Sequence, residues 1–127
     1  MTTDHKPDLP EERRFIESRG GTVQAGRVSG MLAVSRALGD GLFSDLINPT
    51  PCVTYGKLSK DDTFLILACD GVWDVMKDQE AVDLIATEID PLRAAKKIRD
   101  RAFERRSLDN ISVLVVFLAE AIAAADV

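Results

Sequence analysis

Histidine is nearly missing from this chain: His5 is the only one among 127 residues. It stands in a proline-flanked loop segment, where a lone imidazole serves as a hydrogen-bonding group rather than a metal ligand. The two cysteines, Cys52 and Cys69, are far apart and in no metal-ligand spacing. They read as reduced thiols of an intracellular protein, and a zinc site has little to build on. Basic charge is not in excess: 16 Lys and Arg face 21 Asp and Glu, a net charge of −5. That balance argues against nucleic acid and anionic membrane as partners. Long apolar runs are missing too. The longest, Ile111 to Ala119, is interrupted by Ser112 and stopped by Glu120, too short to span a bilayer. Met1 to Pro10 has no signal-peptide core. The expectation is a soluble, cytoplasmic or more broadly intracellular protein, with the nucleus not excluded. There is no internal repeat, and no low-complexity tract beyond the alanine-rich stretch 119–125.

What is present suffices for one domain with its own core, since 46% of the 127 residues are hydrophobic. Pro10 suits the first turn of a helix, with Glu11 and Glu12 near its positive end, Phe15 and Ile16 as apolar contacts, and Gly20-Gly21 as its stop. Thr22 to Val28 has strand character, and Gly26 and Gly30 bracket Arg27-Val28-Ser29. Residues 41–51 read as a loop closed by Asn48-Pro49-Thr50-Pro51. Cys52 to Leu58 alternates enough for a half-buried strand. A helix capped by Asp78 is expected through about Ile89, with Val82, Ile85 and Ile89 on one face. Asp90-Pro91 starts another, with Leu92, Ala95, Ile98 and Ala102 inward.

The most informative segment is Phe64 to Val75. A continuous apolar run delivers Asp70 to Gly71, and Asp74 follows four residues later. The run reads as a strand buried on both faces, with Gly71 letting the backbone leave sharply. If a helix begins there, Asp70 and Asp74 share a face. The plain alternative is a strand-to-helix junction whose aspartate caps the helix. Asp109 stands before the second apolar strand, Ile111 to Leu118, as Asp70 stands after the first. Antiparallel neighbours would bring Asp70, Asp74 and Asp109 to one edge. Carboxylates alone suit magnesium or manganese rather than zinc. Asp109-Asn110 is equally an ordinary Asx turn. The fold class expected is α+β, a partial α/β/β/α sandwich of antiparallel sheets flanked by helices.

Several segments occur in a set order: Asp4-His5-Lys6-Pro7, Arg27-Val28-Ser29-Gly30, Leu32 to Asp40, Leu67 to Val75 and Asp109 to Val113. Together they resemble the carboxy-terminal half of the catalytic domain of metal-dependent protein serine/threonine phosphatases of type 2C, over about residues 4–117. The resemblance implies hydrolysis of phosphoserine and phosphothreonine in phosphoproteins by a metal-activated water, at a centre of two Mg2+ or Mn2+ ions. It makes Asp70 and Asp109 metal ligands, places Asp74 with Asp70 at a third metal, and gives Arg27 a substrate contact. It also makes 41–51 a short flap, lacking the lysine that often follows the Gly-Asp pair.

The resemblance also implies an absence. The family's Asp-Gly-His-Gly-Gly turn, its Gly-Asp-Ser-Arg stretch and its phosphate-gripping arginine do not occur between Met1 and Val127. Two readings follow. The chain is part of a phosphatase domain, weakly active or inactive alone, or it is a non-catalytic pseudophosphatase or regulatory module that binds a partner or dimerises through uncovered sheet edges. The first is favoured by retention of all three carboxylates, the second by the missing half. An Asp-Gly-Val after a strand also suggests haloacid-dehalogenase-like phosphatases, but the position of their nucleophile is Ala68 here, which has no nucleophilic group.

Overall fold

The computed structural model describes residues 2–118, so the alanine-rich stretch 119–125 lies outside the described residues. The chain divides after Gly56 into two compact units. Each combines helix with short antiparallel strands, which bears out the α+β class. No helix among the described residues is long and apolar enough to cross a membrane.

In the first unit α1 spans Pro10–Ser18, with proline at the first position, where a backbone N–H would have no helical partner. It ends where Gly20 turns to φ +81°. The Gly20 and Gly21 N–H groups then close on the Glu17 and Ile16 carbonyls. Ile16 packs with Val23, Val28 and Ile47 in a small core. The strand expected over Thr22 to Val28 is instead a hairpin of β1, Val23–Gln24, and β2, Arg27–Val28. Ala25 at φ 49° and Gly26 at φ 71° form the two-residue turn that reverses it, a conformation whose twist matches the paired strands. The 41–51 segment is tacked down, because Ile47 is buried and Phe43 and Leu46 pack on the same core. Cys52 to Leu58 is not a strand. Among the described residues it forms no ladder, and it is exposed throughout.

In the second unit β3, Phe64–Ala68, pairs antiparallel with β4, Val113–Phe117, in a register from Phe64 opposite Phe117 to Ala68 opposite Val113. Three helices follow β3: α2 over Asp70–Trp73, α3 over Asp78–Ile85 and α4 over Pro91–Glu104. One sheet face (Phe64, Ile66, Ala68, Val113, Val115, Phe117) packs with Val72, Ile85, Ala94, Ile98 and Ala102. The other carries Leu65, Leu67, Leu114 and Val116, and three of these are 48%, 58% and 39% exposed in that order from Leu67. The described residues therefore cover the apolar run mainly on one side, not on both.

The helices also depart from expectation in detail. α3 stops at Ile85 and its N-cap is Lys77. Ala81 and Ile85 are buried, whereas Val82 is exposed and Ile89 is 92% exposed. Residues 86–89 instead form the turn before α4, tied by Glu88 to Lys97 and Arg93. Asp90 does cap α4, accepting from the N–H groups of Leu92 at 2.8 Å and Arg93 at 3.4 Å. Its inner stripe is Ala94, Ile98 and Ala102 rather than one that includes Leu92.

Candidate functional site

The antiparallel pairing of β3 and β4 sets the end of one strand beside the start of the other. Ala68 opposes Val113, and just beyond them the Cys69 N–H donates to the Ser112 carbonyl at 3.2 Å. Asp70 follows Cys69 as the first residue of α2, and Asp109 lies three residues before Ser112. The two turns are in close contact. A β-carbon placed on Gly71 would lie 2.1 Å from the Asn110 carbonyl oxygen and 3.5 Å from the β-carbon of Asp109. Gly71 is thus required by the approach of Asn110. The sharp exit expected of it is instead the start of a helix, with Cys69 extended at φ −80°, ψ 172° as its N-cap.

Asp70, Asp74 and Asp109 are all exposed. The Asp74 N–H donates to the Asp70 carbonyl at 2.8 Å, so these two stand one helical turn apart. Asp74 also lines an open cleft of about 900 Å³ with Trp73, Met76, Asp78 and Arg105 among its walls. The Asp109 carboxylate accepts from the N–H of the next residue, Asn110, at 2.7 Å, a contact one residue short of the i to i+2 bond of an Asx turn. Among the described residues, no three histidine, cysteine or acidic side chains gather closely enough to hold a metal ion. The donor chemistry on the 70 and 109 turns, carboxylate oxygen without imidazole, fits a hard cation.

Two residues that the sequence did not single out hold these turns together. The Cys69 thiol donates to the Asn110 carbonyl at 2.9 Å, and its sulfur accepts from the Ser112 N–H at 3.2 Å. The Ser107 hydroxyl donates to the Gly71 carbonyl at 2.6 Å. Nothing in the spacing announces these contacts, which cross 41, 43 and 36 residues of chain.

Arg27 belongs to the first unit. It lies exposed on β2 and donates to the Met31 carbonyl at 2.7 Å, across the turn that follows. The same unit holds a half-buried ion pair that no sequence pattern announces. Arg36 donates through Nε to Glu12 Oε1 at 2.9 Å, and through Nη1 to the Thr50 carbonyl at 3.0 Å. Glu12 is only 4% exposed. The hydrogen bond from Arg36 holds its carboxyl below the ordinary value, against the opposing effect of burial.

Comparison with known proteins places this geometry in context. The family model described as Protein phosphatase 2C matches residues 1–111. Protein phosphatase 2C homolog 1 of Saccharomyces cerevisiae is 45% identical over 118 residues, which cover 93% of this chain and 42% of that protein. Probable protein phosphatase 2C 45 of Oryza sativa subsp. japonica is 46% identical over 119 residues, covering 91% of this chain and 42% of the relative. The crystal structure of a phosphatase from a pathogenic strain of Toxoplasma gondii superposes with a TM-score of 0.81 at 37% identity, over 91% of this chain and 40% of its own. A sex-determining protein of C. elegans matches with a TM-score of 0.82 at 32% identity, over 93% of this chain and 31% of its own. The chain thus spans less than half the length of these relatives.

Proposed function

Because the chain belongs to the protein phosphatase 2C family, we propose that it carries part of the site at which a metal-dependent phosphatase hydrolyses phosphoserine and phosphothreonine in proteins. The observation that supports this most is the contact between the Asp70–Gly71 and Asp109–Asn110 turns, which sets two carboxylates on adjoining segments at one end of the sheet. Asp70 and Asp109 are the residues that would hold Mg2+ or Mn2+, with Asp74 contributing beside Asp70. When bound, such ions neutralise phosphoryl charge and lower the pKa of water. The chain's own part is to present carboxylate oxygens without an imidazole beside them, which favours hard cations. Arg27 contributes positive charge toward the phosphoprotein substrate, and the 41–51 segment serves as a short flap. With only part of a ligand shell, the isolated chain turns over weakly or not at all, since positioning and charge stabilisation are the main sources of phosphoryl-transfer catalysis. The setting we propose is intracellular.

Manganese calorimetry on the chain and on Asp70→Ala tests the reading. Binding that is lost in the variant supports it, and equal binding in both contradicts it. A phosphopeptide assay with manganese then measures how much turnover remains.

A second reading has its own observation. Leu67, Leu114 and Val116 leave the outer face of the β3–β4 sheet apolar and exposed, as befits a non-catalytic module that dimerises or docks through that face. A dimer by size-exclusion mass, without turnover, favours this alternative.

A further inference from the structure

We propose that Cys69 and Ser107 are positioning residues that clasp the Asp109 turn onto the Asp70 turn. The inference rests on the reading of Asp70 and Asp109 as metal ligands and adds what sets their separation. Cys69 is joined directly to Asp70, and its side chain makes two bonds to the opposite turn. The thiol donates to the Asn110 carbonyl at 2.9 Å, and the sulfur accepts from the Ser112 N–H at 3.2 Å. One atom therefore serves both a donor and an acceptor on the three-residue segment that follows Asp109. The backbone N–H of the same residue donates to the Ser112 carbonyl at 3.2 Å. From the other side, Ser107 lies two residues before Asp109 and donates to the Gly71 carbonyl at 2.6 Å, one residue after Asp70. Each carboxylate is thus flanked by a side chain that grips the turn of the other.

The chemistry of the clasp is specific. Serine at position 69 keeps one donor and one acceptor, while alanine keeps neither. At position 107 alanine removes the hydroxyl that reaches α2. Both aspartates are exposed, so packing alone does not hold their side chains in place. The β3–β4 ladder brings the turns together, and these bonds with the close approach of Asn110 to Gly71 set their separation beyond its end. Residues that orient ligands from the outer shell typically alter metal affinity by about 10- to 100-fold.

Two measurements on the 127-residue chain decide the matter. Hydrogen exchange without metal should show the Ser112 amide exchanging about tenfold faster in Cys69→Ala, because its acceptor is gone, with Cys69→Ser restoring most of the protection and the α4 amides unchanged. Manganese calorimetry should show affinity weakened about tenfold in Cys69→Ala and in Ser107→Ala, and largely recovered in Cys69→Ser. Binding in Cys69→Ala as tight as in the unaltered chain, while Asp70→Ala abolishes it, overturns the clasp and leaves the ligand reading standing. No manganese binding by the unaltered chain overturns the ligand reading, and the positioning role with it. Should Cys69→Ala fail to fold, unchanged affinity in Ser107→Ala is the overturning result.

Discussion

The carbonyl oxygen of Asn110 occupies the space that a side chain on Gly71 would need, 2.1 Å from the position of its β-carbon. The obstacle is backbone on the turn that also carries Asp109, so it cannot swing aside as a flexible side chain would. Gly71→Ala is therefore expected to part the two turns and to destabilise the fold by about 1–3 kcal/mol, as overpacking does in well-packed sites. Urea denaturation reads the loss, and manganese calorimetry reads the separation of the carboxylates.

The Glu12–Arg36 pair makes the first unit sensitive to acid. Arg36 holds the Glu12 carboxyl below its ordinary value of 4.5 in the folded chain. A depressed carboxyl contributes stability that is fully present above the unfolded-state value and is lost as pH falls through the folded one. Urea midpoints should thus be steady from neutral pH to about 5 and decline below 4.5. Glu12→Gln should flatten that decline and cost about 1.5–3 kcal/mol at pH 7, the usual range for hydrogen bonds to charged groups.

The two faces of the β3–β4 sheet should respond differently to substitution. Ile98 is fully buried against the covered face. Ile98→Ala should cost about 2–5 kcal/mol in urea unfolding. Leu67 lies on the other face and is 48% exposed. Leu67→Lys should change monomer stability by no more than about 0.5 kcal/mol, while shifting any self-associated species toward monomer in size-exclusion chromatography.

Asp90 alone accepts two N–H groups at the start of α4. Asp90→Ala should cost about 0.5–2 kcal/mol. The thermal midpoint reads that loss, and Asp90→Asn, which keeps the accepting oxygen, should recover most of it.

How much of this was legible depended on whether the determining contact is local. The Asp90-Pro91 start of α4 and the Pro10 start of α1 could be read directly, because a cap and a first-turn proline act within a few residues. The pairing of β3 with β4 is only a condition in the sequence, where two apolar runs each carry a carboxylate at one end, and the ladder meets that condition. The contacts that define the candidate site cross long stretches of chain and leave no local pattern. Cys69 reads as a plain reduced thiol until Asn110 and Ser112 are found against it. Glu12 reads as a first-turn acid until Arg36, 24 residues away, is found to bury it.

Hydropathy also overstated burial. Leu67 and Leu114 belong to runs that are apolar at alternate as well as adjacent positions, yet the described residues cover only one face of those strands. Spacing alone puts Ile89 on a helix face, but the chain needs residues 86–89 to turn before Asp90. Cys52 to Leu58 shows the same limit, since its alternating residues are all exposed.

The central claim is that Asp70 and Asp109 act together on a hard cation, and paramagnetic broadening of backbone amide signals by Mn2+ tests it most directly. The account predicts that signals from Asp70, Gly71, Asp109 and Asn110 broaden first and together at low manganese, while those of Arg93 to Lys97 on α4 persist. Broadening centred on another acidic segment of the same unit, such as Asp61-Asp62, or none at either turn, would contradict it.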